Sequence, residues 1–302
     1  MRAARFAAFG GPEVLAIEDI PVPEPASGEV RIKVETAAIQ PFDRRVRSGT
    51  LPLPPGVALP ITTSNEFSGR IDALGGGVTG FSVGDPVAGR RLFGCAAEYL
   101  VVPASDIALK PAQLSFAEAA TLGGTAQTAD AAVEALDIGP GDVLLIHGAA
   151  GGVGTFATQL ALLRGATVIG TASPANQDYV GGIGAVPLVY GPGLAERISD
   201  AAPRGVTAIL DCAGGPALDL SLTLGVPLAR ISSLGDPRGK ELGLRAVGGA
   251  RDGQRLAKLL TLSAEGRLAA TVRRIFPLHD IVEAHRELES GHGRGKIVVA
   301  VR

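Results

Sequence analysis

The run Val143-Leu144-Leu145-Ile146-His147-Gly148-Ala149-Ala150-Gly151-Gly152-Val153-Gly154 constrains the fold more than any other part of the chain. Its apolar start reads as a buried strand, its glycines as a turn, and the residues after it as a helix. A strand that feeds a helix through such a turn brings backbone N–H groups and the positive end of a helix dipole to one point, a setting suited to a pyrophosphate. The next apolar segment, Ala166-Thr167-Val168-Ile169, completes a strand-turn-helix-strand order, which marks the turn as a dinucleotide-binding loop. The spacing departs from strict G-x-G-x-x-G by having Ala149 where the first glycine would stand.

Outward from this unit the chain has two textures. Up to about Lys110 it offers short β-rich segments, among them Val30-Arg31-Ile32-Lys33-Val34, Ser68-Gly69-Arg70-Ile71, Pro86-Val87-Ala88 and Glu98-Tyr99-Leu100-Val101-Val102, punctuated by Gly and Pro. That pattern predicts an all-β domain closed as a barrel. From Ser115 onward helices and strands alternate: an Ala-rich helix over 116–136, helices over 152–163 and 194–201, and a strand over 206–210. This is the rhythm of a doubly wound parallel sheet. A helix over 278–290 and the strand Lys296-Ile297-Val298-Val299-Ala300-Val301 then return to the first domain. At 302 residues the chain is long enough for two cores. The fold class is therefore α/β, a β barrel domain at 1–115 and 268–302 and a Rossmann parallel-sheet domain at 116–267.

Composition excludes several partners. A formal net charge of −2 gives no global attraction to nucleic acid or an anionic membrane surface. The start, Met1 to Phe9, lacks the apolar core of a signal peptide, and no apolar run reaches membrane-spanning length, so a cytoplasmic location is expected. Cys95 and Cys212 cannot by themselves make a disulfide framework or a four-ligand zinc site.

Cofactor choice is set after the second parallel strand, where an acid would hold the adenosine ribose of NAD and repel a 2′-phosphate. The stretch Gly170-Thr171-Ala172-Ser173-Pro174-Ala175-Asn176-Gln177 has no acid before Asp178, which favours NADP(H). It also has no Lys or Arg, leaving Ser173, Asn176 and Gln177 as neutral donors, with Ser173 alternatively a cap for the next helix.

From end to end the chain resembles the zinc-independent medium-chain dehydrogenases/reductases of the quinone oxidoreductase and enoyl reductase type. The resemblance is carried by Gly10-Gly11-Pro12-Glu13-Val14-Leu15, by Gln40-Pro41-Phe42-Asp43-Arg44-Arg45-Val46-Arg47-Ser48-Gly49, and by Glu66-Phe67-Ser68-Gly69-Arg70-Ile71. It continues through Val83-Gly84-Asp85-Pro86-Val87, Ala96-Ala97-Glu98-Tyr99-Leu100-Val101-Val102-Pro103 and Gly291-His292-Gly293-Arg294-Gly295-Lys296-Ile297-Val298. It implies a GroES-like barrel beside the Rossmann domain, a homodimer through Rossmann sheet edges, and NADPH-dependent hydride transfer to a quinone or an α,β-unsaturated carbonyl.

The resemblance also assigns residues. Thr128, Ala150, Gly151, Gly152, Val153, Ser173, Gln177, Tyr190, Ala213, Leu234, Arg294 and Lys296 fall at cofactor positions. Gln40 and Asp43 are the polar positions near the nicotinamide, with Phe42, Leu51, Phe67 and Phe93 as walls for a hydrophobic substrate. Simpler roles compete: Tyr190 as a packed aromatic, Arg294 and Lys296 as solvated charges, the phenylalanines as core.

Zinc chemistry is disfavoured because His147, His279, His285 and His292 lie outside the barrel segments and Asn65-Glu66 stands where zinc enzymes resemble Gly-His-Glu. Without a metal to polarise a carbonyl, the acceptor must already be electrophilic. Two departures stand out: Gln40 replaces the usual Asn, and Arg45 replaces a Tyr that would have been a proton donor, leaving protonation to water. The segment between Gly235 and Gly248 is shorter than usual, consistent with an open cleft. A trans-acting enoyl reductase of fatty-acid or polyketide assembly and a non-catalytic NADPH-binding protein are the alternatives.

Overall fold

A computed structural model describes residues 1–291 and 293–302, so His292 of the closing motif lies outside the described residues. The chain divides into two compact units, Met1–Thr125 with Arg251–Arg302, and Ala126–Ala250.

The first unit begins with β1 (Arg2–Phe6), β2 (Leu15–Asp19) and β3 (Glu29–Ile39), then α1 (Pro41–Arg47), β4 (Ile61–Thr62), β5 (Glu66–Leu74), β6 (Pro86–Arg90), β7 (Tyr99–Pro103) and β8 (Ile107–Leu109). β3 is the spine. Its strict alternation of apolar residues buries Val30, Ile32 and Val34 completely. It is long enough to pair antiparallel with β7 at its start and with β5 along most of its length. β5 pairs with β6 and β6 with β8, while β1 forms a smaller sheet with β2 and β4. The core between these strands contains Val30, Ile32, Phe67, Leu100 and Val299.

Next comes α2 (Phe116–Thr121), capped by Ser115, whose hydroxyl accepts the Glu118 amide at 3.1 Å. The single helix expected over 116–136 is broken. Leu122–Ala126 forms a π-helical turn, and α3 (Gln127–Ala135) follows. The physical reason is visible in the first unit: the amides of Gly124 and Thr125 turn to the Glu66 carboxylate, at 2.8 and 2.6 Å. α2 packs on β3 and β5, so it belongs to the barrel unit although the alternation of the sequence would put it in the nucleotide domain.

The second unit continues through β9 (Val143–His147), α4 (Gly152–Leu163), β10 (Thr167–Ala172), α5 (Gln177–Gly182), β11 (Val186–Val189), α6 (Leu194–Ala201), β12 (Ala208–Asp211), α7 (Pro216–Ser221) and β13 (Ile231–Ser233). The strands form one parallel sheet in the order β11-β10-β9-β12-β13. The chain leaves β9 toward β10 on one side and returns to β12 on the other, so the carboxyl ends of β9 and β12 flank the point where strand order reverses, the usual ligand crevice of such sheets. Leu145, Ile169, Ile209 and Ile231 fill its core.

The chain then re-enters the first unit with α8 (Gly253–Ala264), β14 (Val272–Pro277), α9 (Ile281–Glu289) and β15 (Lys296–Ala300). β15 pairs antiparallel with the end of β3, as the expected return to the barrel requires. Among the described residues, no helix is long and apolar enough to cross a membrane.

Candidate functional site

In the second unit, the carboxyl edge of the sheet gathers the positions expected to hold a cofactor. Gly148 takes a left-handed φ of +74° and Gly151 is the N-cap of α4, with no side chain capping that helix. A Cβ built on Gly151 would meet only the Gly148 carbonyl, at 3.3 Å, so the approach to this turn is open. Ala150, Gly151, Gly152 and Val153 therefore form a turn over a helix N-terminus, a fit for a phosphate group. Gly154, by contrast, is packed shut: its Cβ would stand 2.3 Å from the Gly148 carbonyl and 2.7 Å from Ala149 Cα.

The other strand ends bring further candidates to the same edge. Ser173 follows β10, and the Gln177 side-chain amide donates to the carbonyls of Ala172 and Ser173, both at 3.1 Å. Tyr190 follows β11 and is 55% exposed, so it is not a packed aromatic. Ala213 follows β12 and Leu234 follows β13, while Thr128 lies half-buried on α3.

A residue that sequence reasoning passed over organises two of these loops. Asp211, fully buried at the end of β12, accepts the amides of Ala213 and Gly214 at 2.9 and 2.8 Å and the Ser233 hydroxyl at 2.6 Å. One carboxylate thus ties the loop after β12 to the end of β13. The local signal was present: an acid ending a parallel strand before Cys212-Ala213-Gly214 is a side chain able to bond its own following amides. Beside it His147 is buried, with Nδ1 3.1 Å from the Thr171 hydroxyl; burial lowers its pKa and the Asp211 charge opposes this.

In the first unit a second polar group lies at the junction of β3, α1, β5 and β15. Glu66 is fully buried. Its Oε2 accepts the amides of Gly124 and Thr125, and its Oε1 accepts the Thr125 hydroxyl at 2.9 Å and the Lys296 ammonium at 2.5 Å. Lys296 also donates to the Ile39 carbonyl at 3.1 Å. Its ammonium group, expected at the cofactor, is thus engaged inside the barrel. Arg294, just before β15, is exposed.

Gln40 and Asp43 belong to this group. Asp43 accepts the Gln40 amide at 2.9 Å and the Ser64 amide at 3.0 Å, while Thr125 Oγ1 lies 3.4 Å from the Gln40 side-chain oxygen. Burial pushes the Asp43 carboxyl up to about 7; the Glu66 charge adds to that, and the two amides and Lys296 oppose it. Ser64 and Phe93 hold left-handed backbone at φ +72° and +64°, rare for residues with side chains. Ser64 is kept there by its hydroxyl bond to the Ala38 carbonyl, and Phe93 by the Asn65 side chain, which accepts its amide at 2.6 Å. The Phe93 ring stacks on Phe42 with centroids 5.8 Å apart. Leu51 is half-buried against the core and Phe67 lies wholly within it.

These donors do not fit a zinc ion. Zinc needs at least three thiolate, imidazole or carboxylate ligands, whereas Glu66 is saturated by an ammonium group, a hydroxyl and two amides. Among the described residues no three His, Cys, Asp or Glu side chains gather as ligands. Burial also pushes the Cys95 thiol far up, against thiolate formation. His285 is wholly buried on α9 and stays neutral, its pKa lowered to about 3 by burial and then by Arg47.

A barrel unit joined to a parallel sheet with an open glycine turn at its switch point defines a nucleotide-dependent dehydrogenase or reductase. Residues 26–112 match the model of the alcohol dehydrogenase GroES-like domain, and residues 193–299 that of the zinc-binding dehydrogenases. The quinone oxidoreductase of Pongo abelii is 30% identical over 325 residues, covering 99% of this chain and 97% of that protein. The structure of the quinone oxidoreductase from Coxiella burnetii is 34% identical with a TM-score of 0.88, covering 100% of this chain and 99% of that one. That of Escherichia coli quinone oxidoreductase complexed with NADPH is 26% identical with the same TM-score of 0.88, covering 99% and 100%. The chain belongs to the quinone oxidoreductase family of the medium-chain dehydrogenases/reductases.

Proposed function

We propose that the protein uses NADPH to reduce a quinone or an α,β-unsaturated carbonyl without a metal ion. The observation that carries this reading is the uncapped start of α4 behind the open Gly151 turn, which suits the cofactor's pyrophosphate. Ala150, Gly151, Gly152 and Val153 would hold that group; Ser173, Gln177 and Tyr190, at the neighbouring strand ends, would meet the adenosine 2′-phosphate. Preference for NADPH over NADH rests on the absence of an acid between Gly170 and Gln177.

The bound nicotinamide supplies the hydride, and the chain positions it. Asp211 fixes the loops of Ala213 and Leu234 with hydrogen bonds of 2.6 to 2.9 Å, a rigid edge against which a ring can be oriented. Gln40 offers a side-chain amide to the oxygen on which negative charge develops; Asp43 holds its backbone N–H, and Thr125 Oγ1 lies 3.4 Å from its side-chain oxygen. Phe42, Leu51 and Phe93 give an apolar wall, backed by Phe67. With Arg45 in place of a tyrosine, water delivers the proton that completes the quinol or the saturated ketone. The saturation of Glu66 by Lys296 supports the metal-free reading. A homodimer built on the sheet edges at β11 and β13 completes the proposal.

Oxidation of NADPH, with NADH in parallel, against a panel of ortho-quinones, enones and enoyl thioesters tests it. Turnover restricted to enoyl thioesters would favour an assembly-line enoyl reductase. Failure of NADPH to bind by calorimetry would end the reading, and a sedimentation mass of a single chain would remove the dimer.

A further inference from the structure

Away from the residues assigned so far, the first unit collects positive charge. Arg90 ends β6, and Arg251 and Asp252 lead into α8. Two backbone contacts bring these segments together. Gly89 pairs with Ile107 across β6 and β8, and a Cβ on Gly253 would stand 2.2 Å from the Ile107 carbonyl and 2.9 Å from that of Ser105. Arg90 is the residue after Gly89, while Arg251 and Arg255 flank Gly253 on either side.

Arg251 has its pKa lowered first by burial and then by repulsion from Arg90 and Arg255, and no carboxylate acts on it in the other direction. Its Nε is buried with no hydrogen-bond partner among the described residues. Two acids stand nearby, Asp252, which accepts the Arg255 amide at 2.9 Å, and Asp106, which accepts the Ser105 hydroxyl at 3.0 Å, but neither is bonded to Arg251 Nε. Like charges held together in a half-buried place are repulsive unless an anion joins them, and guanidinium groups match the two-oxygen edge of a carboxylate or phosphate.

The place of this group gives it a use. In the register of β5 and β6, Arg90 stands directly opposite Glu66. Cross-strand partners share a face of the sheet, so Arg90 sits one strand away from the Glu66, Thr125 and Gln40 group. We propose that Arg90 and Arg251 form a receptor for an oxyanion carried by the hydride acceptor, so that the protein prefers acidic quinones or enones to neutral ones. This rests on the reductase reading above.

The test compares 9,10-phenanthrenequinone with its 2-carboxylate as acceptors for NADPH, in the wild type and in the Arg90→Ala, Arg251→Ala and Arg251→Gln variants. The wild type should have the higher kcat/KM on the carboxylate, and each variant should lower the ratio of carboxylate to neutral kcat/KM by about tenfold or more, the size expected for a charge-assisted contact. Arg251→Gln and Arg90→Ala keep the test available if Arg251→Ala does not fold. In parallel, phenanthrene-2-carboxylate and phenanthrene-2-phosphonate, which have no reducible carbonyl, are titrated calorimetrically; the tighter of the two identifies the anion. Binding that is lost in the variants while neither quinone is turned over would leave the receptor standing and overturn the reductase reading. An unchanged ratio with unchanged binding overturns the receptor. So does a tenfold loss of NADPH affinity with the ratio preserved, which would assign the arginines to the cofactor.

Discussion

The Lys296 ammonium lies 2.5 Å from Glu66 Oε1, with the two side chains 5% and 0% exposed, and joins the last strand of the chain to the middle of the barrel. Removing one partner of such a pair leaves a buried charge uncompensated, at a loss of about 3–5 kcal/mol. Lys296→Met should therefore destabilise the protein by about that amount in urea unfolding. Glu66→Gln combined with Lys296→Met should lose clearly less than the sum of the two single changes, because the second change removes the stranded charge. Additive losses would mean the pair is not coupled.

Asp43 should make stability depend on pH. Burial raises its carboxyl from the ordinary 3.8 to about 7, so over that interval the folded protein keeps a proton that the unfolded chain releases. Its contribution to stability is full below pH 4, is lost progressively up to about pH 7, and ends at a penalty of about 4 kcal/mol, at roughly 1.4 kcal/mol per pH unit. Asp43→Asn cannot titrate. Its unfolding free energy should change less between pH 5 and pH 8 than that of the wild type, with the difference in the sense that the variant gains relative stability at pH 8. Parallel pH profiles for the two proteins would refute the assignment.

Much of this arrangement was legible in the sequence, and the parts that were not share a cause. The parallel sheet followed from the apolar run 143–146 and its glycine turn, because a buried strand and a helix start are written in adjacent residues. The break in the helix expected over 116–136 was not, because the π turn at Leu122–Ala126 answers to Glu66, which no local pattern connects to it. Lys296 reads as a cofactor cation until the fold shows its ammonium group bonded to Glu66 and Ile39. Arg90 and Arg251 carry no motif and come near enough to repel each other only because Gly253 packs on β8. Asp211 did leave a local signal, and the strand expected over 206–210 stopped one residue short of it.

The π turn should be sensitive to the smallest possible side chain. A Cβ on Gly123 would lie 2.1 Å from the Gly89 carbonyl, a backbone atom that cannot rotate away, whereas one on Gly139 would meet nothing within 4 Å. Gly123→Ala should destabilise by about 1–3 kcal/mol, the usual size of an overpacking strain. Gly139→Ala should be neutral or slightly stabilising, since it only restricts the unfolded chain. Equal urea midpoints for the two variants would contradict this packing.

The glycines at the start of α4 should separate binding from stability. Gly151 has φ −72° and ψ 171°, which any residue adopts, and its Cβ direction is open apart from the Gly148 carbonyl at 3.3 Å. Gly151→Val should therefore leave the unfolding free energy within about 1 kcal/mol of the wild type, the ordinary range for a substitution outside a packed core. Its added methyl groups would stand where a pyrophosphate approaches the turn, so NADPH should bind at least about tenfold more weakly by calorimetry, a loss of about 1.4 kcal/mol. Gly154 is the reverse case, since a Cβ there would overlap the Gly148 carbonyl at 2.3 Å. Gly154→Ala should lower stability by about 1–3 kcal/mol through forced backbone movement. If Gly151→Val binds NADPH as tightly as the wild type, the cofactor does not lie over this turn.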